Sequence, residues 1–258
     1  MWGSAMCGIV GAVAKRNVTE ILLEGLKRLE YRGYDSAGIA LIDSNDQQLK
    51  RCRVEGKVQR LVDEISANPL RGGTGIAHTR WATHGIPCEQ NAHPHLSGKD
   101  IAVVHNGIIE NHETLRKKLI QAGYEFDSDT DTEVVAHLIH FHFSKTQNLI
   151  TSIQTTVKEL EGALALGIIH QDFPKQIVAV RQGSPLVLGI GIGEHFIASD
   201  PLALLPVTQK FIYLEEGDIA VLTFDHHEII DSTGNKVQRE NLCRKRRYVC
   251  FLFYLKNF

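Results

Sequence analysis

The pattern of apolar and polar positions marks out most elements of this chain. After Gly8 the run IVGAVA is apolar enough for a buried strand, broken only by Gly11. Asn17 or Thr19 then caps a helix whose Ile21, Leu22, Leu26 and Leu29 fall near the helical repeat, and which stops at Tyr31-Arg32-Gly33-Tyr34-Asp35. SAGIALID, Ser36 to Asp43, reads as a strand, and SNDQQ as the hairpin turn into a second strand around Leu49 to Val54. Val58 to Ala67 predicts a short helix that ends before Pro69. Between Gly72 and Gly85, TGIAHTRW predicts a strand and the polar remainder a glycine-bounded loop. Ile86 to Lys99, with Pro87, Pro94 and Gly98, reads as loop, and Ile101 to His105 as a short strand that runs straight into Asn106 and Gly107.

Helical periodicity then takes over. A helix is expected from about Asn111 to Ala122, with Leu115 and Leu119 on one face. SDTDTE, Ser128 to Glu133, sets capping residues and acidic charge in front of Val134 to Phe143, the signature of a helix N-terminus. Leu149 to Leu160 predicts another helix. From Gly162 onward strands return: ALALGIIH, QIVAVRQ, PLVLGIGI, HFIAS, KFIYLEEGDIAVLTF and EIID, separated by Gly, Pro and Asp turns. Helical regions set between blocks of strands predict an α+β sandwich of largely antiparallel sheets, with no long linker and no internal repeat to divide it.

Composition narrows the class. A chain of 258 residues, 43% hydrophobic and 22% charged with a net charge of −2, is an ordinary globular sequence with no general attraction for nucleic acid or anionic membrane. No stretch reaches the roughly 18 apolar residues of a membrane span. Residues 1–5, MWGSA, lack the charged start and apolar core of a signal peptide and read as an extension outside the fold. The cysteines at 7, 52, 88, 243 and 250 are odd in number and widely spaced, unlike a disulfide framework or a paired metal site, so a reducing cytoplasm is expected. Residues 6–240 are expected to form the domain. Asn241 to Phe258 differs in texture: four basic residues precede an apolar run of eight, which is too short to cross a bilayer. That tail either contacts a membrane surface or partner, or is foreign to the domain.

Cys7 carries the most pointed chemistry. Removal of an initiator methionine ahead of a small residue would make it N-terminal, joining an amine of pKa about 7.7–8.0 to a thiol of about 8.5. One residue would then supply nucleophile and general base together. The competing reading is a small hydrophobe in a buried strand. Asn106-Gly107 by itself reads as a tight turn. His137, His140 and His142 are close in sequence, but no carboxylate completes a zinc set, so a helix surface explains them, and His93-Pro94-His95 is equally weak. GIGIG, Gly189 to Gly193, lacks phosphate-loop spacing and is expected to be a hairpin.

Five stretches in order, MCGIVG, LEYRGYDSAG, HTRWATHG, HNGIIEN and SDTDTE, resemble the class II glutamine amidotransferases, the N-terminal nucleophile glutaminases. LEYRGYDSAG and HTRWATHG bring the likeness closest to the glutaminase domains of glutamine fructose-6-phosphate aminotransferases, over about Met6 to Gln238. The resemblance implies a four-layer αββα sandwich of N-terminal nucleophile hydrolase type. It implies hydrolysis of L-glutamine to glutamate and ammonia, with no cofactor and no metal. Carried over residue by residue, Cys7 is the nucleophile and its own amine the base, while the Asn106 side-chain amide and the Gly107 N–H form the oxyanion hole. Arg80 takes the substrate carboxylate through its planar fork. Asp131 takes the ammonium, with helix capping as the alternative. Trp81, Thr83 and His84 lie on the loop that closes over glutamine, Trp81 helping to gate ammonia and His84 carrying no assigned proton transfer. Arg32 orients the surroundings of the nucleophile, or is an ordinary ion pair.

In the full-length family a sugar-phosphate isomerase half binds fructose-6-phosphate and receives the ammonia for glucosamine-6-phosphate synthesis. The resemblance ends near Gln238, and no such half is expected from the residues after it. Three outcomes are open: an active glutaminase if Cys7 becomes N-terminal, a silent glutamine-binding domain if it does not, or an interaction or membrane-associated fragment acting through the tail. Oligomeric state is not legible.

Overall fold

The computed structural model describes residues 7–81 and 86–243, with Arg32 described by its backbone alone. Strand β1 (Gly8–Ala14) leads into helix α1 (Thr19–Leu29), and the hairpin β2 (Ser36–Ile42) and β3 (Leu49–Glu55) precedes α2 (Val58–Ala67) and β4 (Thr74–Arg80). β5 (His95–Ser97) and β6 (Ile101–Ile109) are followed by α3 (His112–Gln121), α4 (Asp131–Thr146) and α5 (Leu149–Glu159). The rest is strand: β7 (Gly162–His170), β8 (Ile177–Gln182), β9 (Val187–Ile190), β10 (Glu194–Ala198), β11 (Lys210–Tyr213), β12 (Ile219–Leu222), β13 (His227–Ile230), β14 (Lys236–Val237) and β15 (Asn241–Cys243).

These strands form two sheets, ordered β15-β11-β9-β10-β1-β4-β2-β3 and β14-β13-β12-β8-β7-β6-β5. Pairing in both is antiparallel, with β4 and β10 flanking β1, and β5 and β7 flanking β6. Because side chains alternate along a strand, each central strand feeds two apolar layers. In β1, Val10, Ala12 and Ala14 pack on α1, whereas Ile9 and Val13 join Ile76, Ala102 and Val104 between the sheets. In β6 and β7, Ile101, Val103, Leu164, Leu166 and Ile168 pack on α3, α4 and α5. Three apolar layers separate four layers of structure, helices outside each sheet and the sheets face to face. The expected αββα sandwich is the fold observed.

The differences from the sequence expectation are local. β6 does not stop at His105, because β7 supplies a partner further on: Asn106 pairs with Ala165 and Gly107 with Leu164, so the Asn-Gly pair lies within a strand rather than in a turn. KFIYLEEGDIAVLTF is divided between sheets, β11 in one and β12 in the other. The start of α1 has Val18 as cap residue with no side-chain cap bond. Asn17 instead accepts from the Thr19 hydroxyl at 2.8 Å and the Gly72 N–H at 3.1 Å, tying the helix start to the approach to β4. GIGIG is a hairpin end as expected, closed by Gly191 N–H on Glu194 O at 2.9 Å. The first three residues of the anomalous tail, Asn241–Cys243, pair with β11 at the sheet edge. Residues 1–6 and 244–258 lie outside the described residues. Among the described residues, no helix is long and apolar enough to cross a membrane.

Candidate active site

The face that the two sheets turn towards each other is apolar along most of its length and polar at one end. Strand alternation sets this out: Cys7 continues the row of Ile9 and Val13, His78 and Arg80 the row of Ile76, and Asn106 the row of Ala102 and Val104. The same three strands that hold the sandwich together therefore deliver Cys7, Arg80 and Asn106 to one place.

Cys7 Sγ is held by one backbone unit: the Trp81 N–H donates to it at 3.2 Å, and the thiol lies 3.5 Å from Trp81 O. Burial raises the thiol pKa, opposed by the Trp81 N–H and by Arg80, while the charge of Asp35 raises it further. The resting group is therefore a thiol, and among the described residues both of its hydrogen bonds go to Trp81. On the other side, Asn106 Nδ2 donates to Cys7 O at 2.9 Å. Gly107 sits at φ +136°, where a side chain is strained, and a Cβ there would collide with Ala163 O. Only glycine fits that position in β6.

Arg80 and Asp131, the residues expected to hold substrate, come from different layers. Arg80 is 4% exposed, with Nη1 3.6 Å from Asp35 Oδ1 and donating to Ile86 O at 3.4 Å. Asp131 opens α4 but does not cap it: its Oδ2 accepts from the Ile109 N–H of β6 at 2.8 Å, and Thr132 Oγ1 lies 3.4 Å from Oδ1. The capping alternative gives way to a bridge between strand and helix. The work at this helix start falls to Glu133, which accepts from the Asp127 and Ser128 N–H groups and the Ser128 hydroxyl at 2.7 to 2.9 Å. Burial raises the Glu133 pKa, but these bonds and His137 outweigh it and hold the carboxyl at about 2.

Cys7, Arg80, Trp81, Gly107 and Asp131 line one cleft, together with His93, His105, Thr130 and Thr132. Trp81 is 45% exposed at its mouth. The expected Thr83 and His84, and the side chain of Arg32, lie outside the described residues. What residue-by-residue expectation missed is a group of buried histidines beside the cleft. His78, His93, His95 and His105 are buried, His93 stacking on His78 at 4.1 Å and meeting His95 edge-on at 4.7 Å. His105 Nδ1 lies 2.9 Å from Thr132 Oγ1. Burial keeps His78 neutral, with its pKa lowered to about 3, and lowers His93 and His95 well below the ordinary value. Of His93-Pro94-His95, His93 lines the cleft and His95 meets His93 edge-on, and among the described residues no cluster suits a metal ion.

A family model described as a glutamine amidotransferase domain matches residues 78–206, half of the chain. This chain belongs to the glutamine amidotransferase domain family. Among its relatives, the glutamine–fructose-6-phosphate aminotransferase (isomerizing) of Legionella pneumophila (strain Paris) is 62% identical over 234 residues, which is 91% of this chain and 39% of the relative. The enzyme of that name from Pseudomonas aeruginosa is 58% identical over 237 residues, 92% of this chain and 39% of the relative. This amidotransferase domain thus spans about two fifths of the curated relatives it matches. Its fold is shared with the glutamine phosphoribosylpyrophosphate amidotransferase of B. subtilis, at a TM-score of 0.76, 24% identity and coverage of 89% of this chain and 50% of the other.

Proposed function

We propose that this domain, when it begins at Cys7, hydrolyses L-glutamine to glutamate and ammonia through a thioester on that residue. The observation that carries this is the environment of Sγ: a partly buried thiol whose hydrogen bonds go to the backbone of Trp81, leaving its own α-amine as the base. The amine takes the thiol proton as sulfur attacks the side-chain carbonyl carbon of glutamine. Asn106 and the Gly107 N–H stabilise the resulting oxyanion. The protonated amine then gives its proton to the departing ammonia, and water hydrolyses the thioester to glutamate. Arg80 binds the α-carboxylate and Asp131 the α-ammonium, positions supported by their place in the same cleft. Trp81 at the mouth, with Thr83 and His84, forms the closing loop, and Arg32 orients the nucleophile's surroundings.

By likeness to its relatives, the ammonia serves amination of fructose-6-phosphate in a sugar-phosphate isomerase half, within a longer protein or by association with one. Cys7, Cys52, Cys88 and Cys243 are free thiols, which suits a reducing cytoplasm.

The test joins intact mass to chemistry. The expected result is a chain beginning at Cys7 that forms one adduct there with a glutamine-analogue electrophile and releases glutamate and ammonia from glutamine. Cys7→Ala should abolish release while keeping glutamine affinity. Retention of residues 1–6 with glutamine binding and no turnover would establish a silent binding domain instead, and unchanged turnover in Cys7→Ala would remove the nucleophile assignment.

A further inference from the structure

We infer that His78 is a positioning residue for the oxyanion hole: it fixes which end of the Asn106 amide faces the nucleophile. The inference rests on the glutaminase role proposed for Asn106.

The hydrogen bonds decide the matter by elimination. His78 Nε2 lies 2.9 Å from the carbonyl oxygen of His105 and 2.9 Å from the amide oxygen of Asn106. The His105 carbonyl can only accept, so Nε2 must carry the proton. The Asn106 atom facing Nε2 must then be an acceptor too, which makes it Oδ1. The amide nitrogen is consequently turned the other way, where it donates to Cys7 O at 2.9 Å. Flipping the amide would set oxygen against the Cys7 carbonyl and break both contacts together. With one N–H spent on Cys7 O, the second N–H of Nδ2 remains for a developing oxyanion.

The surroundings hold this tautomer. His78 is fully buried, and its Nδ1 has no hydrogen-bond partner, so a proton there would be a buried, unsatisfied donor. His93 stacks flat on the ring at 22° between planes and prevents it from turning. The sulfur's hydrogen bonds go to Trp81 and to neither of these rings. His78 therefore acts through Asn106 and not on the substrate.

The first measurement needs no activity: ¹⁵N NMR of the histidine-labelled chain should show His78 neutral at pH 7 with its proton on Nε2. A proton on Nδ1 would overturn the inference. The second compares His78→Leu, which lacks the donor, with His78→Gln, whose terminal amide can place an N–H where Nε2–H stood. In the chain beginning at Cys7, His78→Leu should lower kcat about 10²–10³-fold, the usual loss for an oxyanion donor. KM should stay within about threefold, and His78→Gln should recover most of the kcat. Equal losses in both variants, or a loss confined to KM, would reduce His78 to a packing residue. Should the wild-type chain with a free Cys7 not hydrolyse glutamine at all, the glutaminase reading fails, and the NMR result still judges the tautomer. If His78→Leu does not fold, His78→Gln and the NMR assignment decide.

Discussion

Two stretches of one surface behave as opposites here. Ile9, Ile76 and Val104 lie on the face between the sheets, and one pleat further along the same rows stand Cys7, His78 and Asn106. The rows are continuous, but burial is not: Ile9, Ile76, Val104 and His78 are fully buried, whereas Cys7 and Asn106 are only partly so. The side chains differ too, and with them the cost of burial: the first set gains by leaving water, whereas in the second each buried donor needs a hydrogen-bond partner. A polar site built as the last row of a core inherits the rigidity of that core. It also inherits its sensitivity, because buried neutral histidines must charge if protonated.

The largest expected effect follows from that sensitivity. For His78 the folded pKa of about 3 lies below its ordinary 6.5, and His93 and His95 shift in the same direction. Below 6.5 the unfolded chain binds protons that the folded chain refuses, so stability is complete above that pH and is lost as pH falls towards the folded values. The slope is about 1.4 kcal/mol per pH unit for each such histidine. Urea denaturation at pH 7.5, 6 and 5 checks this, and a midpoint that stays flat would mean that these histidines are already charged or hydrated.

Next in size is the apolar stretch. Ile76 is fully buried between the sheets, so Ile76→Ala should cost about 2–5 kcal/mol of stability while leaving glutamine affinity of the folded molecules unchanged. Denaturation followed by calorimetric titration with glutamine separates the two. A loss of affinity matching the loss of stability would erase the distinction between core and site.

The smallest effect belongs to Arg80→Lys, two pleats on from Ile76. A point charge can still pair with Asp35 but cannot fork onto a carboxylate, so glutamine affinity should fall about tenfold, or about 1.4 kcal/mol, with little change in stability. Calorimetry in a Cys7→Ala background measures it. Unchanged affinity would make Arg80 a structural partner of Asp35.

Periodicity made the elements legible because burial on one or both faces of a strand or helix constrains each local stretch independently. Val58 to Ala67 was placed to the residue, and the α+β class followed from the order of elements. The motifs located Cys7, Arg80, Trp81, Gly107 and Asp131, which share the cleft, and Asn106 beside it. What local pattern could not show was anything decided by a distant partner. The Asn-Gly pair reads as a turn until β7 supplies a neighbour for it, and His93-Pro94-His95 reads as an idle loop until His93 stacks on His78.

The sequence by itself determined which residues alternate, where strands and helices fall, and which side chains could do nucleophilic and recognition chemistry. Those are properties of neighbours along the chain. The tertiary structure alone decided that rows from β1, β4 and β6 end in register, that Asp131 bridges a strand instead of capping a helix, and that His78 turns the Asn106 amide towards Cys7. Each of these joins residues far apart in sequence, and is fixed only when the sheets and helices pack together.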